Sequence, residues 1–504
     1  MRLAALLRDD RWLGWLTAAG VTALAAALRL PGLDRPHELV FDETYYVKDS
    51  WTLLNLGYEA QWPTDVDARF EAGEVDLYTT TASYVVHPPI GKWWIALGLR
   101  LFGAQDPVGW RIAVAVAGIL SVLLLTRIAR RLLRSTALGA VAGGLLALDG
   151  AAIVQSRTAL LDGVLMMFLL AGFGALLLDR DSARGRLAAM TAPPRAPARW
   201  GPALGWRPWR LAAGVLLGLA LGVKWSALWF LAVLGILTVV WDMSARRRAG
   251  VREWWQGALL RDAVPAFLAL VPVAVVTYVA GWFSWFRSPA AYGRQWAGQN
   301  PGEGVTWLPS ALRSLLKYHQ DMWSFHTNLD SPHSYAASPL GWMVQWRPTS
   351  FFYGAPEPAQ QYCDASRCSQ AVTSLGNPLI WWLGTLAVLA CLWWAVRRRD
   401  GVAAAALTGV AAGWLPWFLY GHRTIFTFYS IVFLPWVILC LTVALGRLLR
   451  WGDVWPYRRG LVRTAVAVLG VLVVGATWFF YPVWIAQVIS FEAWQLRQWL
   501  PSWP

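Results

Sequence analysis

Apolar runs of roughly 15–20 residues recur along the whole chain, close to the ~20 that a helical membrane crossing needs, and short polar stretches separate them. The pattern predicts crossings near 12–30, 108–126, 136–153, 161–178, 263–282, 379–396, 402–420, 425–446 and 464–482, with a further pair inside 211–241, about 11 in all. Residues 211–241 read as a hairpin with Lys224 at its tip, because one long helix would bury that ammonium at mid-membrane. The apolar stretch 90–102 is too short to cross, and Trp93 and Trp94 suit a helix lying in the headgroup layer. Two long polar connections remain, 31–107 and 283–378. They divide the chain into a transmembrane module 1–282 that includes loop 31–107, a loop subdomain 283–378, and C-terminal helices with a tail, 379–504.

Composition supports a polytopic membrane protein: of 504 residues 57% are hydrophobic and 14% charged. The net charge of +15 raises the question of nucleic acid. Most arginines, however, sit in short groups between apolar runs: Arg2, Arg8 and Arg11; Arg127 to Arg134; Arg180 to Arg210; Arg246 to Arg261; Arg397 to Arg399; Arg447 to Arg463. That is the distribution of cytoplasmic loop anchors, and it excludes a nucleic-acid-binding face. It predicts a cytoplasmic N-terminus, with both long loops and the C-terminal tail outside the plasma membrane. The first run has no small-residue cleavage site before a hydrophilic domain and reads as a retained helix. Cys363 and Cys368, five apart in an external loop, are placed for a local disulfide, while Cys391 and Cys440 fall in apolar runs and read as packing residues. The absence of an internal repeat weakens a transporter built from inverted halves.

The candidate chemistry lies on the external side. Asp42 and Glu43 follow the first crossing, where partial desolvation lifts a carboxyl pKa and makes it a useful proton acceptor. The predicted loops and turns add His87, Lys92, Arg111, Arg157, Asp162, Lys224 and Arg423. Cations and carboxylates gathered at one leaflet suit a reaction between a water-borne acceptor and a lipid-borne anionic donor, with the cations holding a phosphate. His319, His326 and His333 recur every seven residues, but Pro332 interrupts the segment and the spacing is not that of metal ligands. Packing in the loop subdomain is the first reading for these histidines and binding of acceptor peptide or shaping of the site entrance the second, with His326 the site candidate.

The runs Phe41-Asp42-Glu43-Thr44-Tyr45-Tyr46, His87-Pro88-Pro89-Ile90-Gly91-Lys92, Ser156-Arg157-Thr158-Ala159-Leu160-Leu161-Asp162 and Gly222-Val223-Lys224-Trp225-Ser226 resemble the protein O-mannosyltransferases, membrane glycosyltransferases of the GT-C type. The resemblance implies an all-α GT-C fold, a polyprenyl-phosphate mannose donor and Ser/Thr hydroxyls of exported polypeptides as acceptors, with the secretion machinery as a possible associate. It implies Asp42 as general base with Glu43 as companion, Arg111 as a donor-phosphate contact, and membrane-lying helices at 45–56 and 90–102; Lys92, Lys224 and Arg423 are the further phosphate-binding candidates among the external cations. No cofactor is required by that chemistry, and a divalent metal is left open. Loop 283–378 is too short for the β-trefoil domain of eukaryotic members, which points to the bacterial, actinobacterial form. Transfer of another lipid-linked sugar, such as an aminoarabinose or arabinofuranose, is the alternative enzyme reading; a transporter or a non-catalytic scaffold would leave Asp42 without a role in transfer.

Overall fold

The computed structural model describes residues 10–192, 199–356 and 363–503. Arg2 and Arg8, and Arg195 of the Arg-rich connection, lie outside the described residues. The longer helices are numbered in chain order. The first half has α1 (Asp10–Arg29), α2 (Glu43–Leu56), α3 (Ile90–Phe102), α4 (Pro107–Leu133), α5 (Thr136–Leu148), α6 (Gly150–Arg157), α7 (Leu161–Met190), α8 (Pro208–Leu221), α9 (Ala227–Arg248) and α10 (Trp254–Ala280). Then follow α11 (Ser310–Asn328), strands β1 (Thr349–Gly354) and β2 (Cys368–Ser374), helices α12 (Pro378–Arg397), α13 (Gly401–Tyr420), α14 (Leu434–Val454) and α15 (Tyr457–Val483), and the short strand β3 (Ile489–Ser490).

Among the described residues nine helices are long and apolar enough to cross a membrane, and α5 with α6 forms a further pair bent by 60°. Their starts are written in the sequence. Asp106 accepts from Val108 N at 2.8 Å with Pro107 in the first turn, Asn377 accepts from Leu379 N at 3.1 Å ahead of Pro378, and Asp400 accepts from Val402 N at 2.8 Å. Each cap satisfies a backbone donor that the helix leaves open. The segment 211–241 breaks at 222–226 into α8 and α9, and α3 is a separate 13-residue helix.

Burial separates the centre of the bundle from its rim. In the most apolar window of α7, 83% of residues are buried, against 17% in α10 and 22% in α15, so α7 is the axis and the others offer apolar faces to lipid. Three expectations need correction. The run expected at 136–153 is not one straight helix, because Asp149 ends α5 and caps α6, accepting from Ala152 N and from Asn377 N, each at 3.0 Å. The run expected at 425–446 opens with a 3-10 segment, Thr427–Val432, and the helix begins only at Leu434, where Pro435 suits the first turn. The all-α expectation gains a three-stranded antiparallel sheet in the order β1-β2-β3, whose third strand comes from the C-terminal tail. The tail is fastened there: Arg347 donates to Ser502 O at 2.7 Å, and Trp503 Nε1 to Gln345 O at 2.9 Å. Cys363 and Cys368 are joined as a disulfide beside β2.

Some of the arginines read as loop anchors are buried in ion pairs. Arg207 bridges Asp179 of α7 and Asp242 of α9, Arg210 touches the same two carboxylates, and Arg246 pairs with Asp262, all at 2.6–3.2 Å. Asp179 lies about 25 Å along α7 from Asp162 at 1.5 Å per residue, so this network closes the end of the bundle away from the long loops.

Candidate functional site

The long loops and the turn between α8 and α9 meet at one end of the bundle, and backbone contacts bring the sequence motifs together. Ile90 N donates to Gly222 O at 3.0 Å, tying the segment 87–92 to the turn that carries Lys224. Gly91 makes the approach possible: a Cβ there would lie 2.8 Å from Leu161 and 3.1 Å from Val223. Lys224 Nζ reaches Asp162 Oδ2 at 2.7 Å, so the first turn of α7 and the turn between α8 and α9 present a joined cation and carboxylate.

A cavity of about 640 Å³ opens beside that pair. Its lining carries the polar side chains His87, Asp162, Lys224, His326 and Arg423 together with apolar residues of α8, α9, α10 and α13, among them Leu221, Leu228, Phe230, Val275 and Pro416. One wall is aromatic. Trp225 Nε1 donates to Tyr278 Oη at 3.0 Å, Tyr278 meets His319, and Trp225 stacks on His319 with ring centroids 5.7 Å apart. A largely apolar lining that includes two cations suits a lipid-linked anion, and an aromatic wall suits the face of a sugar ring.

Asp42 is half-buried at the start of α2 and faces the same charges. Burial raises its carboxyl to about 6, against the opposing pull of Lys224 and with the help of Asp162, while Tyr46 donates a hydrogen bond to the carboxylate. His87 and His326 stack at 5.2 Å, and both are held below the usual imidazole range by burial first and then by neighbouring cations, His326 at about 4. They present neutral rings at neutral pH.

The remaining site candidates lie behind this surface, with their polar atoms engaged by protein. Glu43 and Arg111 are fully buried and face each other in a two-pronged ion pair at 2.9 and 2.8 Å. Arg111 gives its other hydrogen bonds to Leu33 O, Pro36 O and Glu38 O, at 2.8–3.1 Å, and Glu43 also accepts from Val40 N and Ala159 N. This differs from the expected phosphate contact: as placed, Arg111 has no N–H left for a donor, and it folds loop 33–38 around α4. Lys92 is buried in an ion pair with Glu59, with Asp49 4.0 Å away, and does not line the cavity. Asp49 is pushed up to about 7 by burial, partly offset by Lys92. Arg157 donates to the carbonyls of Arg29, Pro31 and Gly32 and holds the exit of α1. Beside it, the buried Arg29 donates to Leu146 O, Ala147 O and Ser156 Oγ at 3.0–3.2 Å, a role that nothing in its neighbouring sequence signals. Among the described residues, no group of three His, Cys, Asp or Glu is placed to hold a metal ion.

Comparison with known proteins follows the same lines. Residues 19–284 match the family model described as dolichyl-phosphate-mannose-protein mannosyltransferase, and residues 311–503 match that of the C-terminal four-helix region of protein O-mannosyltransferases. A polyprenol-phosphate-mannose–protein mannosyltransferase of Mycolicibacterium smegmatis is 39% identical over 506 residues, spanning 98% of this chain and 94% of its own. Its Mycobacterium tuberculosis counterpart is 37% identical over 503 residues, spanning 98% and 92%. The solved Saccharomyces cerevisiae protein O-mannosyltransferase Pmt1–Pmt2 complex, bound to the sugar donor, superposes with a TM-score of 0.74 at 16% identity, over 100% of this chain and 94% of that one. The fold is thus the multi-pass helical one of that yeast enzyme, and the family models and relatives make the class that of a membrane glycosyltransferase. Within that class the chain belongs to the protein O-mannosyltransferase family.

Proposed function

We propose that the protein transfers mannose from polyprenyl-phosphate mannose to Ser or Thr hydroxyls of exported polypeptides at the outer face of the plasma membrane. The observation that carries this reading is the cavity itself: a largely apolar lining that includes Lys224, Arg423 and Asp162, with Asp42 outside the lining but interacting with Lys224 and Asp162. The mycobacterial relatives bear the matching activity in their names. In the proposed step the acceptor oxygen attacks the anomeric carbon in line, the bond from that carbon to the phosphate oxygen breaks, and configuration inverts. The hydroxyl proton passes to Asp42, and the polyprenyl phosphate leaves with its charge held by Lys224 and Arg423. His87 and His326 shape the cavity as neutral rings. Glu43, Arg111, Lys92 and Arg157 position the loop that carries Asp42.

In this topology the arginine-rich end of the bundle is cytoplasmic and the cavity opens at the outer side of the membrane. The test is transfer of radiolabelled mannose from polyprenyl-phosphate mannose to a Ser/Thr-rich peptide by membranes containing the protein. Other polyprenyl-linked sugars run in parallel, and labelling only from one of those would replace mannose in this reading. Lys224→Met removes a charged partner of the leaving phosphate and the pull that opposes the rise of the Asp42 carboxyl, and it is expected to lower kcat/KM about 10–100-fold, with kcat falling as well as donor KM rising.

The pH profile supplies a second check. A base with its pKa raised to about 6 is protonated, and so inactive, in more acidic solution. The kcat/KM for transfer is therefore expected to be level above that pH and to fall about tenfold per unit below it. A limb near pH 4 would instead mark an ordinary solvated carboxylate.

A further inference from the structure

Phe41, the residue before Asp42, has φ +53°, in the left-handed region that a bulky side chain rarely adopts. The turn it makes is closed on both sides: Glu43 N donates to Val40 O at 3.0 Å, and Val40 N donates to the Glu43 carboxylate at 3.0 Å. Its ring is held from several directions by parts of the chain remote in sequence. It stacks on Phe351 of β1 at 4.9 Å with planes 20° apart, and it meets Phe428 at 5.5 Å, Phe426 at 5.9 Å and His333 at 6.3 Å edge-on. A strained backbone of this kind persists only where its surroundings over-determine it, and such positions gather at functional sites.

We propose that Phe41 is a positioning residue for Asp42: the aromatic clamp holds the left-handed turn that sends Glu43 inward to Arg111 while Asp42 faces Lys224 and Asp162. The aim of the carboxylate thereby depends on β1 and on the 3-10 segment Thr427–Val432, elements that contribute no charged group to the cavity. The proposal rests on the reading of Asp42 as the base. Misplacing a reacting group by about 1 Å costs up to about 100-fold in rate. Phe41→Ala, which keeps the backbone requirement and removes the clamp, is expected to lower kcat about 10–100-fold with donor KM within about threefold. Its acid limb should move to lower pH as water reaches Asp42, whose charged and titratable neighbours are Lys224, Asp162, Tyr46 and Tyr429. Phe41→Tyr, which keeps the ring, should restore the wild-type rate.

The deciding measurement compares Phe41→Ala in wild-type and Asp42→Asn backgrounds, with labelled polyprenyl-phosphate mannose and a Ser/Thr peptide. If Phe41 acts through Asp42, its substitution has no further effect once Asp42→Asn is present. An equal loss in both backgrounds, or a Phe41→Ala protein with wild-type kcat and an unmoved acid limb, overturns the proposal. Full transfer by Asp42→Asn alone overturns the base reading first, and that result is visible without any change at Phe41. Should Phe41→Ala not accumulate, Phe351→Leu removes the stacked ring from the opposite side, and an unchanged kcat and pH profile there would be equally decisive against the clamp.

Discussion

Asp42→Asn is expected to reduce mannose transfer by about 10²–10⁴-fold, the usual contribution of a positioned general base. Protein level and donor KM should stay close to wild type. The carboxamide has almost the same shape, and its oxygen can still accept the hydrogen bond from Tyr46, so the start of α2 keeps its geometry. What it cannot do is take a proton from the incoming hydroxyl. The charge balance also favours folding of the variant. A carboxyl whose folded pKa is raised to about 6 is more costly to ionise in the folded than in the unfolded chain, so its stabilising contribution is lost as pH rises through that value. A neutral amide escapes that loss, and thermal stability of Asp42→Asn at neutral pH should equal or exceed wild type. Membrane transfer assays and unfolding midpoints in detergent measure the two sides. Undiminished transfer would pass the role to Asp162, the carboxylate that lines the cavity beside Lys224.

The hydrophobic pattern alone places most of the helices, because a run that must satisfy its backbone inside lipid has few alternatives to a helix. The same pattern reads straight through Asp149, whose carboxylate caps α6 and also accepts from Asn377 N, a partner 228 residues away. The 3-10 segment at Thr427–Val432 is hidden for a similar reason: its residues are apolar enough to pass for the start of α14. For the site, two of the motif segments, 87–92 and 222–226, meet through a backbone hydrogen bond, but residue type does not reveal which side of a loop a charge faces. Arg111 carries the chemistry of a phosphate ligand and is used to bury Glu43. The arginines at 207, 210 and 246 follow the statistics of sidedness, which say nothing about burial, and they prove to be partners of Asp179, Asp242 and Asp262. Trp225, Tyr278 and His319 form a wall only after α11 is laid against the α8–α9 turn, a long-range packing that no local spacing announces.

Arg111→Met is expected to cost about 3–5 kcal/mol of stability, as removal of one member of a buried ion pair does. The loss has identifiable parts. Glu43 would keep its charge in a fully buried position with only Val40 N and Ala159 N as donors, and the carbonyls of Leu33, Pro36 and Glu38 would lose theirs. Arg111→Lys should recover only a fraction, because an ammonium is a point donor and cannot span two carboxylate oxygens and three carbonyls as the planar fork does. The double variant Glu43→Gln with Arg111→Met separates the two uses of this arginine. If the pair is structural, removing the charge on Glu43 relieves part of the penalty, and the double variant unfolds at a higher temperature than the sum of the single changes demands. If Arg111 instead holds the donor phosphate, the single variant folds normally and shows its loss in donor KM, and Glu43→Gln offers no relief. Unfolding midpoints and donor KM for the three variants decide between them, and the saturation of every Arg111 N–H by protein favours the first outcome.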